Sequence, residues 1–211
     1  MTQKTLADCI IEMMLMYKKP SDFWTNHKLS FPELEQSKTF QQKNNQTVFQ
    51  HTMRVLDCLA LKNHITLWAA LFHDLGKLTT QIIDLSNNTI SFPNHDQAST
   101  LITQETLSAW NEDQYIIDRT MRIIKTHMLD LTQITAKTIR DFVGNVGKDN
   151  IENWFVVREA DALSYNHNRD RTNQYIKSFR LDVEEYQALL LKKDTLDISM
   201  SSTGFEISGE E

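Results

Sequence analysis

Leu71-Phe72-His73-Asp74-Leu75-Gly76-Lys77 sets a histidine and an aspartate side by side at the end of an apolar run, with glycine and lysine immediately after them. Leucine and phenylalanine in such a run belong in the core, so the imidazole and the carboxylate lie where the chain enters its interior. Burying that pair is costly unless both groups are hydrogen-bonded or coordinated. The pair therefore needs polar partners from elsewhere in the chain.

The composition is that of a helical globular protein. The chain has 211 residues, 40% of them hydrophobic and 24% charged, which is enough apolar material for a substantial core. Five glycines and three prolines favour helices joined by short connections. We expect one all-α domain over residues 1–192, followed by a polar tail over residues 193–211 that is frayed.

The formal net charge of −6 argues against a broadly basic surface for nucleic acid. A small phosphate-bearing substrate remains compatible with this charge, because bound divalent cations can reverse its sign locally. Asp8 and Glu12 interrupt the first apolar stretch, which is therefore not a secretory signal, and no apolar run reaches the ~18 residues of a membrane span. We expect a cytoplasmic protein in which Cys9 and Cys58, whose spacing matches no zinc or redox motif, are buried thiols without a chemical role.

Apolar spacing predicts an amphipathic first helix over residues 6–17, ended by Pro20. Residues 20–46 are polar and irregular, apart from a short turn at residues 31–34. Thr47 is suited to cap the helix that follows.

That capped helix is predicted to end at Asn63. An almost wholly buried helix then covers residues 65–75, and Gly76 suits the left-handed position that often follows a helix end. Residues 81–85 and 89–92 flank the turn-like Ser86-Asn87-Asn88, and this pattern predicts a small hairpin over residues 81–92. Helices return at about residues 95–110, 112–127, 135–145, 148–165 and 170–192.

Besides Asp74, five histidines and aspartates lie on or at the ends of predicted helices among apolar neighbours. A single inward histidine is usually a hydrogen-bonded core residue, and a single inward aspartate can pair with an arginine such as Arg158. Six such residues together favour a shared site. The six are His51, His73, Asp74, His95, His127 and Asp161.

Imidazole and carboxylate ligands without thiolate suit Mn, Fe, Co, Ni, Zn or Mg. A carboxylate can bridge two cations, and two cations ~3.5–4 Å apart are an established arrangement for displacement at phosphorus. One cation activates a water and the other neutralises charge on the phosphoryl oxygens. We therefore expect a cofactor of one or two divalent metal ions.

The order His51, His73-Asp74 and Asp161 resembles the H…HD…D signature of HD-domain metal-dependent phosphohydrolases. The resemblance implies an HD-domain helical bundle in which these four residues are the primary metal ligands. It also implies that Asp74 bridges to a second metal. His95 and His127 stand where two-metal members of the superfamily place the histidines that hold it.

A closer resemblance covers about residues 31–165. The pieces 31–35, 47–52, 70–77, 94–97 and 159–162 are similar to the HD region of bacterial CCA-adding tRNA nucleotidyltransferases. The Gly-Gly turn and paired-aspartate motif of a nucleotidyltransferase head do not occur. Residues 205–211 are similar to the segment that follows the HD region in those enzymes. Because Met1 opens onto a predicted helix, we favour a stand-alone HD protein.

The resemblance implies a phosphohydrolase that acts on a nucleotide or a nucleic-acid end as a 2′,3′-cyclic phosphodiesterase, 2′-nucleotidase or phosphatase. Asp74 and Lys77 would be catalytic, with Lys77 either contacting the phosphate or holding Asp74. As a sequence feature alone, Lys77 is equally a cation at a helix C-terminus. The guanidinium groups of Arg54 and Arg158 suit phosphate binding, although each can instead pair with a carboxylate on its helix.

Two other classes of function remain open. One is a non-catalytic HD module that binds a nucleotide or a partner, and the other is an RNA-binding fragment of a tRNA-processing enzyme. The intact ligand set weighs against the first class, and the acidic charge weighs against the second. The exact substrate, the metal and the oligomeric state stay undetermined.

Overall fold

A computed structural model describes residues 4–42, 45–165 and 169–202, with side chains described as far as residue 192. Helices dominate, which confirms the all-α prediction. The helices are α1 (Leu6–Met16), α2 (Ser21–Asn26), α3 (Pro32–Ser37), α4 (Val48–Cys58), α5 (His64–Phe72), α6 (Lys77–Thr80), α7 (His95–Ala109), α8 (Gln114–Thr126), α9 (Ala136–Val146), α10 (Ile151–Ser164) and α11 (Arg169–Ser202). A 3-10 turn, Lys148–Asn150, precedes α10.

Helix α5 is the centre of the fold. Every residue of α5 after His64 is buried, as its apolar sequence predicts, and the helix packs against α4, α7, α8 and α10. Asn63 caps its first turn by accepting from the Thr66 amide, so the prediction that Asn63 ends the preceding helix is wrong. The physical reason is that an Asn side chain is a favourable acceptor at an N-cap.

Two aromatic clusters fill the core on either side of α5. Trp24, Phe31, Trp68, Phe72 and Trp110 form the first, with ring centroids 5.4–6.4 Å apart. The second joins α9, α10 and α11 through Phe142, Trp154, Phe155 and Phe179. These rings carry much of the buried apolar area, so they hold in place the helices that surround the His-Asp pair.

The end of α5 tightens into successive three-residue turns. Leu75 N donates to Phe72 O and Lys77 N donates to Asp74 O. Gly76 is right-handed (φ −62°), so the predicted left-handed position is wrong. A glycine is needed here for another reason, since a Cβ would lie 2.5 Å from Ser99 N and in contact with the His95 carbonyl. Helix α7 therefore packs directly on the backbone of this turn.

Several other boundaries differ from the sequence analysis. The segment 20–46 contains the short helices α2 and α3, which are too short for apolar periodicity to reveal. The predicted hairpin is confirmed as β1 (Ile82–Asp84) paired antiparallel with β2 (Thr89–Ser91). Cys9 and Cys58 are half-buried.

Helix α11 is described to Ser202, beyond the predicted end at residue 192, because neither Gly nor Pro occurs between Gly147 and Gly204. Residues 203–211 of the predicted tail lie outside the described residues. Within the described part of the chain, no helix is both long and apolar enough to cross a membrane. The domain division at residue 192 stays a prediction.

We expect Gly76→Ala to destabilise the protein by roughly 2–4 kcal/mol, because the added methyl meets the backbone of α7 and forces the packed turn apart. The matched control is Gly144→Ala in α9, where a Cβ meets nothing within 4 Å. That change should leave the free energy of unfolding unchanged or raise it by up to about 1 kcal/mol. Urea unfolding of the two variants measures both; equal effects would contradict the close approach at Gly76.

A polar contact ties α5 to the loop before α8. Glu112 Oε2 accepts from Trp68 Nε1 at 2.6 Å and lies 3.2 Å from His64 Nδ1. Burial raises the pKa of Glu112, but the hydrogen bonds from His64 and Trp68 outweigh burial and hold the pKa below its usual value. The hydrogen bond to Glu112 raises the pKa of His64.

Both pKa shifts make this ion pair stabilise the folded state over a defined pH range. The Glu112 contribution is present above its unfolded pKa of 4.5 and is lost as pH falls, while the His64 contribution is complete below 6.5 and is lost as pH rises through the folded value. Glu112→Gln should therefore cost about 1 kcal/mol between pH 4.5 and 6.5 and less at pH 9. Urea unfolding of both proteins at pH 5.5 and 9 tests this; a pH-independent difference would count against the ion pair.

Candidate metal centre

Five helices deliver the six predicted ligands to one place. His51 lies on α4, His73 and Asp74 on the turn after α5, and His95 on the first turn of α7. His127 follows α8 and Asp161 lies on α10. All six are buried: His51, His73, Asp74, His95, His127 and Asp161.

The capping of α4 and α7 sets the direction of two of these ligands. Thr47 caps α4 through a reciprocal pair with Gln50, as the sequence predicts for Thr47, and this fixes the helix one turn before His51. Asn94 adopts a left-handed conformation (φ 55°) before α7, which turns His95 into the interior. His51 and His95 therefore both lie on the first turn of a helix whose start is set by the residues just before it.

The Asp74 carboxylate joins two groups of ligands. Its Oδ2 lies 3.2 Å from His51 Nε2 and 3.4 Å from His73 Nε2. Its Oδ1 lies 3.4 Å from His95 Nε2 and 3.8 Å from His127 Nε2. Each half of the carboxylate thus faces its own pair of histidines.

Asp161 completes the first group. Its Oδ1 lies 3.2 Å from His51 Nε2, and its Oδ2 accepts from Arg158 Nη1 at 2.9 Å. Within each group the histidine nitrogens are also close, at 3.2 Å for His51 and His73 and 3.3 Å for His95 and His127. Ligand atoms so close together can be ligands of one ion.

The hydrogen bonds of the four rings fix their tautomers. The Nδ1 atoms of His73, His95 and His127 donate to the carbonyls of Ala70, Phe92 and Ile124, which can only accept. Ser164 Oγ donates to Asp161 O and so accepts from His51 Nδ1. All four Nε2 atoms therefore converge on Asp74 and carry lone pairs when their rings are neutral, and a backbone or hydroxyl acceptor orients each ring as in known metal sites.

The electrostatics of the centre keep its carboxylates ionised. Burial raises the pKa of Asp74, but the positive charge of Lys77 leads the neighbouring groups that hold it well below its usual value. Burial lowers the pKa of His51, whereas hydrogen bonds to Asp161 and Asp74 raise it to about 9. Without a cation the cluster therefore retains a proton on His51.

The three predicted substrate-binding cations divide into two that reach the site and one that does not. Lys77 Nζ donates to Asp74 Oδ2 at 2.6 Å, so the structure places Lys77 on Asp74; it begins α6 rather than ending a helix. Arg158 pairs with Asp161, as described above. Arg54 is exposed and donates to Gln46 Oε1 at 3.2 Å. Its role in substrate binding stays a prediction.

A cavity of about 400 Å³ opens onto the centre. Asp74, Asp161, His95 and His127 belong to its lining, whereas His51 and His73 do not. The other residues of its wall are Gln42, Lys77, Ser91, Phe92, Met128, Arg158 and Tyr165. This volume suits a small-molecule site.

The model of the HD domain matches residues 48–166, more than half of the chain. The chain belongs to the HD-domain family. That superfamily consists of metal-dependent phosphohydrolases. No curated protein gives a significant match to the chain. The narrower resemblance to the HD region of CCA-adding enzymes stays a prediction.

Sequence reasoning missed four residues that shape the site. Ser99 accepts from Gly76 N and donates to His73 O, both at 2.8 Å, and so ties α7 to the ligand turn. The Tyr165 ring packs 4.6 Å from the ring of His51, and Ser164 orients the same imidazole. Gln42 lies in a segment without apolar periodicity. The family motif contains no signal for any of these contacts, which depend on long-range packing.

The residues of the HD domain fit a divalent metal. Buried imidazole and carboxylate donors, with no thiolate among them, are the ligands that such ions prefer. The four convergent Nε2 atoms decide the fit, because rings that are neutral and already donate through Nδ1 have only lone pairs to turn toward one another. A cation shared by these nitrogens and the carboxylates removes that repulsion.

A divalent ion should raise the melting temperature of the chelator-treated HD domain. Binding at a hundredfold excess over Kd contributes about 2.7 kcal/mol, or roughly 5–10 °C in a protein of this size. Asp74→Asn should abolish most of this shift, whereas Asp118→Asn on the exposed face of α8 should preserve it. Thermal scans with and without Mn²⁺ or Ni²⁺, paired with metal analysis, measure the effect; an undiminished shift in Asp74→Asn would contradict the assignment.

Proposed function

We propose that this HD domain hydrolyses a phosphoester of a nucleotide or of a nucleic-acid end. The observation that carries the proposal is the convergence of four imidazole lone pairs and two carboxylates at the floor of a cavity whose wall also holds Lys77 and Arg158. A floor of cation ligands beneath two cationic side chains suits an anionic phosphoryl group.

The ligand groups assign residues to ions. His51, His73, Asp74 and Asp161 would hold one divalent cation, and Asp74 with His95 and His127 would hold or orient a second. Bound ions would supply Lewis acidity toward the phosphoryl oxygens and an activated water. Asp74 belongs to both groups, so its loss would affect both.

The protein's own residues would orient the reacting groups. Lys77 fixes the Asp74 carboxylate through its 2.6 Å ion pair, and Gln42 Oε1 accepts from the same ammonium at 2.9 Å. The Arg158 guanidinium, anchored on Asp161 by Nη1, presents its remaining N–H groups near the cavity. Both cations are thereby held in fixed positions, which reduces the entropy lost when substrate binds.

The cavity wall and the sequence both favour a substrate whose phosphoryl group is attached to a nucleoside. Phe92, Met128 and Tyr165 provide apolar surface beside the polar floor, and a flat nucleobase can pack on such surface. The resemblance to the HD region of CCA-adding enzymes supports 2′,3′-cyclic phosphodiesterase, 2′-nucleotidase or phosphatase activity. Small nucleotides or RNA ends are therefore the partners we propose, in a protein acting in the cytoplasm.

A substrate panel on metal-depleted protein tests the proposal. Mn²⁺, Ni²⁺, Co²⁺, Mg²⁺ and Zn²⁺ are added back singly with 2′,3′-cyclic AMP, 3′,5′-cyclic AMP, nucleoside 2′-, 3′- and 5′-monophosphates and dinucleotides. We expect metal-dependent release of phosphate or opening of the cyclic ester. Metal uptake without turnover of any member would favour the alternative of a non-catalytic binding module.

The double variant His73→Ala/Asp74→Ala should lose metal uptake and at least about 10³-fold in kcat/KM, since it removes ligands from both groups. The matched control is His27→Ala/Asp118→Ala, which makes the same side-chain changes at exposed positions. Circular dichroism checks that both variants stay helical. Full activity in the first double variant would end the proposal.

A further inference from the structure

Gln42 occupies a fixed position in the cavity wall. It follows the bridge between Gln41 and Thr47, and its backbone N–H donates to Gln46 O at 3.0 Å. The residue is 6% exposed although it lies on an irregular segment. Neither the HD motif nor the mechanism above gives its side-chain nitrogen a role.

The orientation of the Gln42 amide is set by its neighbour. Lys77 Nζ donates to Oε1 at 2.9 Å, and because an ammonium can only donate, the oxygen must face Lys77. The NH₂ group therefore points elsewhere. Across the residues that the structure describes, Nε2 meets no acceptor.

Buried donors without an acceptor are rare in native proteins, and a second one lines the same cavity. Arg158 uses Nη1 to hold Asp161, while its Nε has no acceptor within the described ranges. Gln42 and Arg158 both line the cavity, so two buried donors of its wall are without an acceptor among the described residues. An entering group must offer oxygen acceptors.

The position of the Gln42 donor identifies that group. Lys77 Nζ contacts both Gln42 Oε1 and Asp74 Oδ2, so the amide lies only two hydrogen bonds from the carboxylate shared by both ligand groups. A donor so close to the reacting centre is placed for the phosphoryl group rather than for a nucleobase farther out.

We propose that Gln42 is a substrate-binding residue whose Nε2 donates to a non-bridging oxygen of the phosphoryl group, beside Arg158 Nε. The inference rests on the proposed function. The inference assigns to Gln42 the recognition of the phosphoryl anion beside the metals. Because the amide is neutral, it can donate to the anion without competing with Lys77 for Asp74. Lys77 then serves to position both the carboxylate and the amide.

Gln42→Glu is the sharpest test, since it replaces the donor by a carboxylate oxygen yet keeps an acceptor for Lys77. The metal-loaded protein is titrated calorimetrically with inorganic phosphate, and metal content is measured on the same samples. We expect a roughly 10- to 100-fold weaker phosphate affinity, as for loss of a hydrogen bond to a charged group, with metal content unchanged. In turnover assays KM should rise more than kcat falls.

Gln41→Glu is the matched control, with the same change in charge one residue away on an exposed side chain. It should bind phosphate like the unaltered protein. Gln42→Met, which keeps the shape of the side chain without a donor or an added charge, should give a smaller loss in the same direction. Together the two variants separate the missing donor from an electrostatic effect.

Unchanged phosphate affinity in Gln42→Glu would overturn the inference. Loss of metal from that variant would also overturn it, because the side chain would then act through Asp74. The same measurements distinguish a failure of this inference from a failure of the proposed function. Gln42-dependent phosphate binding without turnover of any substrate removes catalysis but leaves this inference intact, whereas a metal-loaded protein that binds no phosphate contradicts both.

Discussion

The ionised carboxylate of Asp74 is the constraint on which the site and its surroundings depend. A buried carboxylate costs several kcal/mol unless charge and hydrogen bonds compensate it. Lys77 supplies one positive charge and one hydrogen bond to Oδ2. The Nδ1 protons do not help, because each is committed to an oxygen outside the cluster, and each Nε2 presents a lone pair when its ring is neutral. Lys77 and Arg158 balance the charges of Asp74 and Asp161, so with neutral rings four Nε2 lone pairs meet with no proton or cation between them, which is the physical reason for expecting cations there.

The same packing that builds the core builds the centre. Helices α4, α5, α7, α8 and α10 all meet at Asp74, and the turn after α5 carries two of the six ligands. Ser99 and the missing side chain of Gly76 let α7 approach that turn, which brings His95 within 3.4 Å of the carboxylate. Since ligands from five helices must converge, ion binding and stability of the fold are coupled, as in other proteins whose metal sites form only on folding.

Sequence reasoning could reach the fold class and the convergence of the six histidines and aspartates, because helical periodicity gives direction and the family order gives grouping. Sequence reasoning failed where the position of a side chain depends on contacts with residues distant in the chain. Arg54 and Arg158 each lie three residues from a predicted ligand, yet only Arg158 turns toward the cavity. Gln42 belongs to a segment whose polar residues predict a loop, and only its contact with Lys77, 35 residues away, brings it to the site. Helices α2 and α3 are each shorter than two turns, so their pattern is too brief to detect.

The two ligand groups around Asp74 differ in their access to solvent. His51 and His73 lie beneath the cavity floor, with Tyr165 stacked against His51, whereas His95 and His127 form part of the cavity lining. Arg158 and the Gln42–Lys77 pair line the same cavity but are anchored on the first group, Arg158 on Asp161 and Lys77 on Asp74 Oδ2. An anion that entered the cavity would therefore lie between His95 and His127 on one side and the cations anchored on the first group on the other.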